Sequence, residues 1–249
     1  VAGPAPEVAV ARKPATATLG VLLALALWAA TTSVAAQPAD EDRAIMQVVV
    51  AGAEGFYRRG TAFHTGNGVF YTNAHVVRGR VPEGFTEWYL AGTSATRSRG
   101  TWLGPFSVTC VHPLYRGRPD ASQAFPFDVA RLEVGGAEGL PALRLSSGIP
   151  TVGMRVRTKG FPAASRAWPP ILYAAQGRIV EIDQTDQVFQ VDIESGFALA
   201  GSSGSPVIGP DNTVVGILYA STREGRASAD VTFAVSAQAA RSGCPVPPS

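Results

Sequence analysis

The sequence predicts an all-β fold, a barrel or a sandwich, on three observations. Short runs rich in β-branched and aromatic residues recur along most of the chain, with Gly, Pro and Asn-Gly punctuation between them. One run alternates strictly, Phe189, Val191 and Ile193 against Gln190, Asp192 and Glu194, as a strand with one buried face must. Long amphipathic helical patterns are missing apart from a short one around Val235 to Arg241. At 249 residues, 46% hydrophobic and 16% charged, the chain is too apolar to be disordered and long enough to bury a sizeable core.

In chain order the expected strands are Met46 to Ala51, Gly60 to Phe63, Gly68 to Thr72, Glu87 to Leu90, Ser107 to Val111 and Val129 to Val134. A Gly/Pro-rich passage, Gly135 to Pro150, precedes a second set: Met154 to Thr158, Gly177 to Ile182, Val188 to Ile193, Val214 to Tyr219 and Val231 to Val235. Asn67-Gly68 favours a tight hairpin joining the second and third runs, which puts His64 on a solvated turn.

Upstream of the strands, Arg12 and Lys13 precede the apolar stretch Leu19 to Ala30 and the small-residue segment Thr31 to Ala36, the layout of a secretory signal peptide. Cleavage is expected before Gln37, so that residues 1–36 form the leader and 37–249 the exported body; an uncleaved anchor is the alternative. Cys110 and Cys244 are the only cysteines, and an even pair in an oxidising compartment reads as one disulfide, although spacing alone does not bring them together. The expected compartment is secreted or periplasmic. A formal charge of +2 argues against nucleic acid, and the Arg pairs at 78/80, 97/99 and 116/118 lie in Gly, Ser, Thr or Pro contexts without interleaved aromatics. No metal or other cofactor is expected, because neither cysteine sits in a metal-ligand spacing.

A serine hydroxyl keeps its proton at neutral pH, so acyl-transfer sites pair it with an imidazole base and a carboxylate that orients the base. His75 lies in Thr72-Asn73-Ala74-His75-Val76-Val77 at the end of the hairpin strand. Asp128 opens the run Asp128 to Val134, and Ser203 lies in Gly201-Ser202-Ser203-Gly204-Ser205-Pro206. Each residue alone has an innocent reading. Their order, with two in the first half and one in the second, is poorly explained by chance.

On these stretches, together with Gly60 to Phe63, Gly160-Phe161-Pro162 and Val215-Gly216-Ile217, the chain resembles the chymotrypsin-like serine peptidases, especially the bacterial HtrA-type and glutamyl-endopeptidase-like branches. The resemblance implies two six-stranded β-barrels, about 44–138 and 139–240, with the active site in the cleft between them. It implies His75 as general base, Asp128 as its orienting partner, Ser203 as nucleophile, and the backbone N–H groups of Gly201 and Ser203 as the oxyanion hole. Two departures are visible. Ser202 stands where animal trypsins carry the aspartate of their activation switch, and Val76 replaces a disulfide cysteine after the histidine. Too few residues follow Ser203 here for an HtrA-type PDZ domain, so a peptidase domain without one is expected.

The implied pocket for the side chain before the scissile bond has Phe197 at its base and Tyr219-Ala220-Ser221 as its wall. Phe197 offers no carboxylate for Arg or Lys, and Leu218 replaces the histidine of Glu-specific relatives, so small or medium apolar residues are the expected fit. A polypeptide is the expected partner, with no membrane contact after leader removal and a monomeric chain. A catalytically silent peptide-binding relative and an esterase using the same residues are the rival readings. His112, in Cys110-Val111-His112-Pro113, is expected to be structural.

Overall fold

Asn67 and Gly68 both adopt positive φ, 52° and 72°, the backbone a two-residue hairpin turn demands. They join β2 (Gly55–Gly66) to β3 (Val69–Thr72). The computed structural model describes residues 40–93, 101–117, 127–162, 167–185, 187–196, 201–222 and 231–246. The leader expected at 1–36 and the expected pocket base Phe197 lie outside these residues.

Around that hairpin, β1 (Ile45–Gly52), β4 (Phe85–Gly92), β5 (Thr101–Leu103), β6 (Ser107–Val111) and β7 (Ala130–Glu133) complete one antiparallel sheet in the order β5-β4-β1-β2-β3-β7-β6. A six-stranded barrel is expected here, and the sheet is its half-barrel form, with seven strands and two edges, consistent with the two-barrel fold. Those edges are consecutive in sequence, separated only by Gly104-Pro105-Phe106. Pro105 has no N–H to donate and Gly104 has φ +136°, so the ladder breaks there, although Phe106 N still reaches Trp88 O at 3.1 Å. The barrel's sixth strand is thus present as two bent halves, one on each edge.

The second half closes fully. β8 (Arg155–Gly160), β9 (Tyr173–Ile182), β10 (Val188–Gly196), β11 (Pro206–Ile208), β12 (Val214–Thr222) and β13 (Val231–Ser236) form a barrel in the order β10-β13-β12-β11-β8-β9. The alternation expected along β10 is present: Phe189 and Val191 are buried with Ile193 packed beside them, while Gln190 and Asp192 are partly exposed. Tyr219 to Ser221 continue β12 rather than following it, because β12 stays paired with β13 as far as Thr222–Val231.

Each lobe has its own core, Met46, Val48, Phe70, Leu90 and Leu132 in the first and Val156, Ile179, Phe189, Val207 and Leu218 in the second. A third cluster joins them, with Ile45, Phe63 and Tyr71 from one side meeting Phe161, Ile208, Ile217 and Val235 from the other. Helix α1 (Asp40–Arg43) ties the start of the first sheet to the second barrel, since Glu41 pairs with Arg157 and Lys159, and Asp42 pairs with Lys159 at 2.5 Å. At the other end, the helix expected near 235–241 runs from Ala237 to Gly243, with Ser236 Oγ accepting the Ala239 N–H at 3.2 Å as its N-cap.

Just beyond that C-terminal helix, Cys244 forms the expected disulfide with Cys110 on β6, Cα–Cα 5.7 Å. The Cys244 carbonyl also accepts the Tyr71 hydroxyl at 2.5 Å, and burial pushes the Tyr71 phenol up to about 12. His64 departs from expectation. It is buried on β2, donating from Nδ1 to Pro141 O at 2.9 Å and accepting the Gly68 N–H at Nε2, so it braces the hairpin from inside. Among the described residues, no helix is long and apolar enough to cross a membrane.

Candidate active site

Antiparallel pairing brings His75 to Asp128. β3 and β7 pair with Thr72 opposite Ala130, so the chain leaving β3 passes the chain entering β7. His75, expected at the end of a strand, lies instead in a one-turn helix, here α2 (Ala74–Arg78), with Asn73 as N-cap. Asn73 makes no side-chain cap bond and instead donates Nδ2 to the Asp128 carbonyl at 2.8 Å. Asp128 is fully buried, and both its carboxylate oxygens are engaged by His75: Oδ1 accepts the backbone N–H at 2.9 Å and Oδ2 faces Nδ1 at 2.5 Å. With Nδ1–H donated to the carboxylate, the Nε2 lone pair is left to act as acceptor.

His112 supports the same corner. It is buried with its ring 4.9 Å from Phe127, accepts the Leu114 N–H at Nδ1, and sends its backbone N–H to Val129 O at 3.0 Å. Burial lowers its pKa.

Ser203 is positioned by the second barrel in the same manner. β11 and β12 pair with Pro206 opposite Ile217, which carries the loop before β11 alongside the end of β12. Gly204 N donates to Leu218 O at 2.8 Å and Leu218 N to Ser205 O at 3.0 Å. Gly204 has φ +90°, and a Cβ there would come within 1.9 Å of Thr61 O, so only glycine fits. Ser203 Oγ donates to Tyr219 O on β12 at 3.3 Å, rather than to the imidazole. No backbone carbonyl among the described residues accepts the N–H of Gly201 or Ser203.

Thr61, to which the sequence assigns no role, connects the two halves. Its N–H donates to Ser203 O at 2.8 Å, its carbonyl accepts the Thr72 hydroxyl at 2.6 Å, and its own hydroxyl accepts the Phe161 N–H at 3.0 Å. Thr61 is fully buried beside apolar Ala62 and Phe63, a burial that no local pattern in the sequence announces. Tyr219 is buried with its ring 6.1 Å from Phe233, and Ala220 and Ser221 follow it along β12.

The family profile for the trypsin-like peptidase domain matches residues 60–217, which include His75, Asp128 and Ser203. The chain belongs to this family. It is thereby a serine endopeptidase, a hydrolase of the chymotrypsin-like class. The chain has no match among curated protein sequences. Among solved structures, the peptidase is similar to a protease from M. tuberculosis in its active form, with 18% identity, 96% of this chain and 92% of that one covered, and a TM-score of 0.54. It is also similar to a Glu endopeptidase in complex with MPD, at 13% identity, 79% and 85% coverage and TM-score 0.55. A scabies mite inactivated protease paralogue matches at 17% identity, 83% and 94% coverage and TM-score 0.57. One fold thus serves active and inactivated chains alike, and the chemistry has to be argued from the site.

Proposed function

We propose that this peptidase hydrolyses peptide bonds through an acyl-enzyme on Ser203, with His75 as general base and then acid, and Asp128 as the group that fixes its tautomer. The doubly bonded His75–Asp128 pair carries the reading, because it leaves a basic Nε2 on a side chain that is 14% exposed while its carboxylate partner is fully buried. In the reacting complex Ser203 Oγ exchanges the Tyr219 carbonyl for the imidazole; such bonds commonly tighten only when substrate is bound. Oγ then attacks the carbonyl carbon as its proton passes to His75 Nε2. The oxyanion is received by the N–H groups of Gly201 and Ser203. His75 returns the proton to the leaving amine as the C–N bond breaks, and water repeats the sequence to release the acid.

The substrate is a polypeptide, with small or medium apolar residues preferred before the cut bond. Phe197 and the Tyr219-Ala220-Ser221 stretch are the pocket residues of this reading. Export to the periplasm or the exterior is supported by the leader-like sequence and by the Cys110–Cys244 disulfide. The test is a fluorophosphonate probe combined with peptide turnover. Wild type is expected to be labelled on Ser203, and Ser203→Ala to lose labelling and about 10⁴- to 10⁶-fold in kcat while remaining folded. Undiminished hydrolysis by that variant overturns the assignment, and dominant cleavage after Arg, Lys or Glu in a peptide library overturns the pocket.

A further inference from the structure

The helix that presents His75 is five residues long, and its own C-cap supplies one bond, from the Gly79 N–H to His75 O at 3.0 Å. One side chain adds bonds to two of the helix's carbonyls and to one just beyond its end. Arg59, on β2, donates Nε to Val76 O at 3.0 Å, Nη2 to His75 O at 3.1 Å and Nη1 to Arg80 O at 2.8 Å. A guanidinium can do this because its five N–H groups lie in one rigid plane, and its charge suits the carbonyl end of a helix. Gly79 leaves the necessary room: a Cβ there would stand 2.1 Å from Arg59 Nη2 and 2.7 Å from His75 O. Helix and strand also touch directly, since a Cβ on Gly60 would stand 2.8 Å from Val76 Cγ2.

Two features give this clamp its consequence. His75 is held at both of its backbone polar groups, its N–H by Asp128 and its C=O by Arg59 together with the Gly79 N–H. The strand that carries Arg59 also carries Thr61, whose N–H holds the Ser203 carbonyl at 2.8 Å. A short stretch of β2, Arg59 to Thr61, is therefore hydrogen-bonded to the backbones of both His75 and Ser203.

We infer that Arg59 is a positioning residue: it sets the imidazole against the serine by fixing the His75 helix to the strand that fixes the Ser203 loop. The inference rests on the catalytic roles proposed above for those two residues. Because Arg59 acts through the His75 backbone, its loss displaces the base without emptying the substrate cleft.

The experiment compares kcat and KM on one peptide substrate, with fluorophosphonate labelling rates, for wild type, Arg59→Ala, Arg59→Lys and His75→Ala. Arg59→Ala is expected to lower kcat and the labelling rate by about tenfold to a hundredfold, the scale of a small misplacement, with KM unchanged. Millimolar guanidinium is expected to restore part of the loss, whereas ammonium is not. Arg59→Lys should fall between, since an ammonium cannot span three carbonyls. A folded Arg59→Ala with wild-type kcat, or a loss lying wholly in KM, overturns the clamp while leaving the function intact. If Arg59→Ala does not fold, wild-type kcat in both Arg59→Lys and Gly79→Ala overturns it instead. Full activity in His75→Ala overturns the functional reading beneath it.

Discussion

The two halves of the site are fastened by different means. On the first sheet, side chains hold His75: Asp128 from one direction, Arg59 from the other, and Asn73 bonded to the Asp128 backbone. On the second barrel, the backbone holds Ser203, through the Gly204–Leu218 and Leu218–Ser205 bonds and, from β2 of the first sheet, the Thr61–Ser203 bond, with glycine sterics excluding any other residue at 204. The difference follows from the sheets. The closed barrel supplies a paired strand end on which the serine loop can form, whereas the histidine sits in a single helical turn whose ends are completed by side chains from other elements. Damage to the first half should therefore come from losing a side chain, and damage to the second from gaining one.

The largest effect should come from the side-chain half. Asp128→Asn keeps the shape but offers His75 a partner that no longer enforces the Nδ1–H tautomer. A loss of about 10⁴ in kcat is expected with little change in melting temperature. Steady-state kinetics and a thermal scan check it, and retained activity would dissolve the contrast between the halves.

The disulfide tests whether the first lobe also needs a covalent tie. Cys110 and Cys244 are 134 residues apart in sequence, so their bond constrains a long loop in the unfolded chain. Replacing both by serine should cost up to about 5 kcal/mol, read from denaturant unfolding, with less if the unfolded chain retains structure. Gly204→Ala tests the backbone half. Its Cβ would meet the Thr61 carbonyl in a positive-φ conformation, and a loss of about 1–3 kcal/mol is expected, accompanied by slower fluorophosphonate labelling. Normal labelling in that variant would mean that the serine loop tolerates what its packing says it cannot.

The smallest effects distinguish the regions by pH. Burial lowers the His112 pKa, so the folded state resists a proton that the unfolded chain accepts near 6.5. His112 thus contributes stability that is complete above 6.5 and declines as pH falls below it. Burial raises the Glu41 carboxyl, but the bonds and charges of Arg157 and Lys159 outweigh it, leaving a net lowering from 4.5. Its contribution is complete above 4.5 and declines only below that. Acid should consequently weaken the His112 corner of the first lobe before it weakens the tie between α1 and the second barrel. Hydrogen exchange at pH 7, 5.5 and 4 checks the order, and simultaneous loosening would contradict it.

Much of this was legible in the chain itself. The Asn67-Gly68 turn, the alternation along 188–193 and the order of the His75, Asp128 and Ser203 stretches are local patterns, and local patterns survive in sequence because strand period and turn chemistry act between near neighbours. The burial of His64 did not, since its imidazole is paired with Pro141, 77 residues away. Neither did the helical turn under His75, the Thr61 junction or the Arg59 fork. The turn is too short to show a helical period, and the other two are bonds to backbone groups that sheet register brings together, with no periodicity to read. Residue types and their order were thus determined by the sequence alone, including which histidine, aspartate and serine to compare. Which side chains hold those residues in place was decided by the packing of two sheets, because hydrogen bonds spanning tens of residues exist only once both sheets have formed.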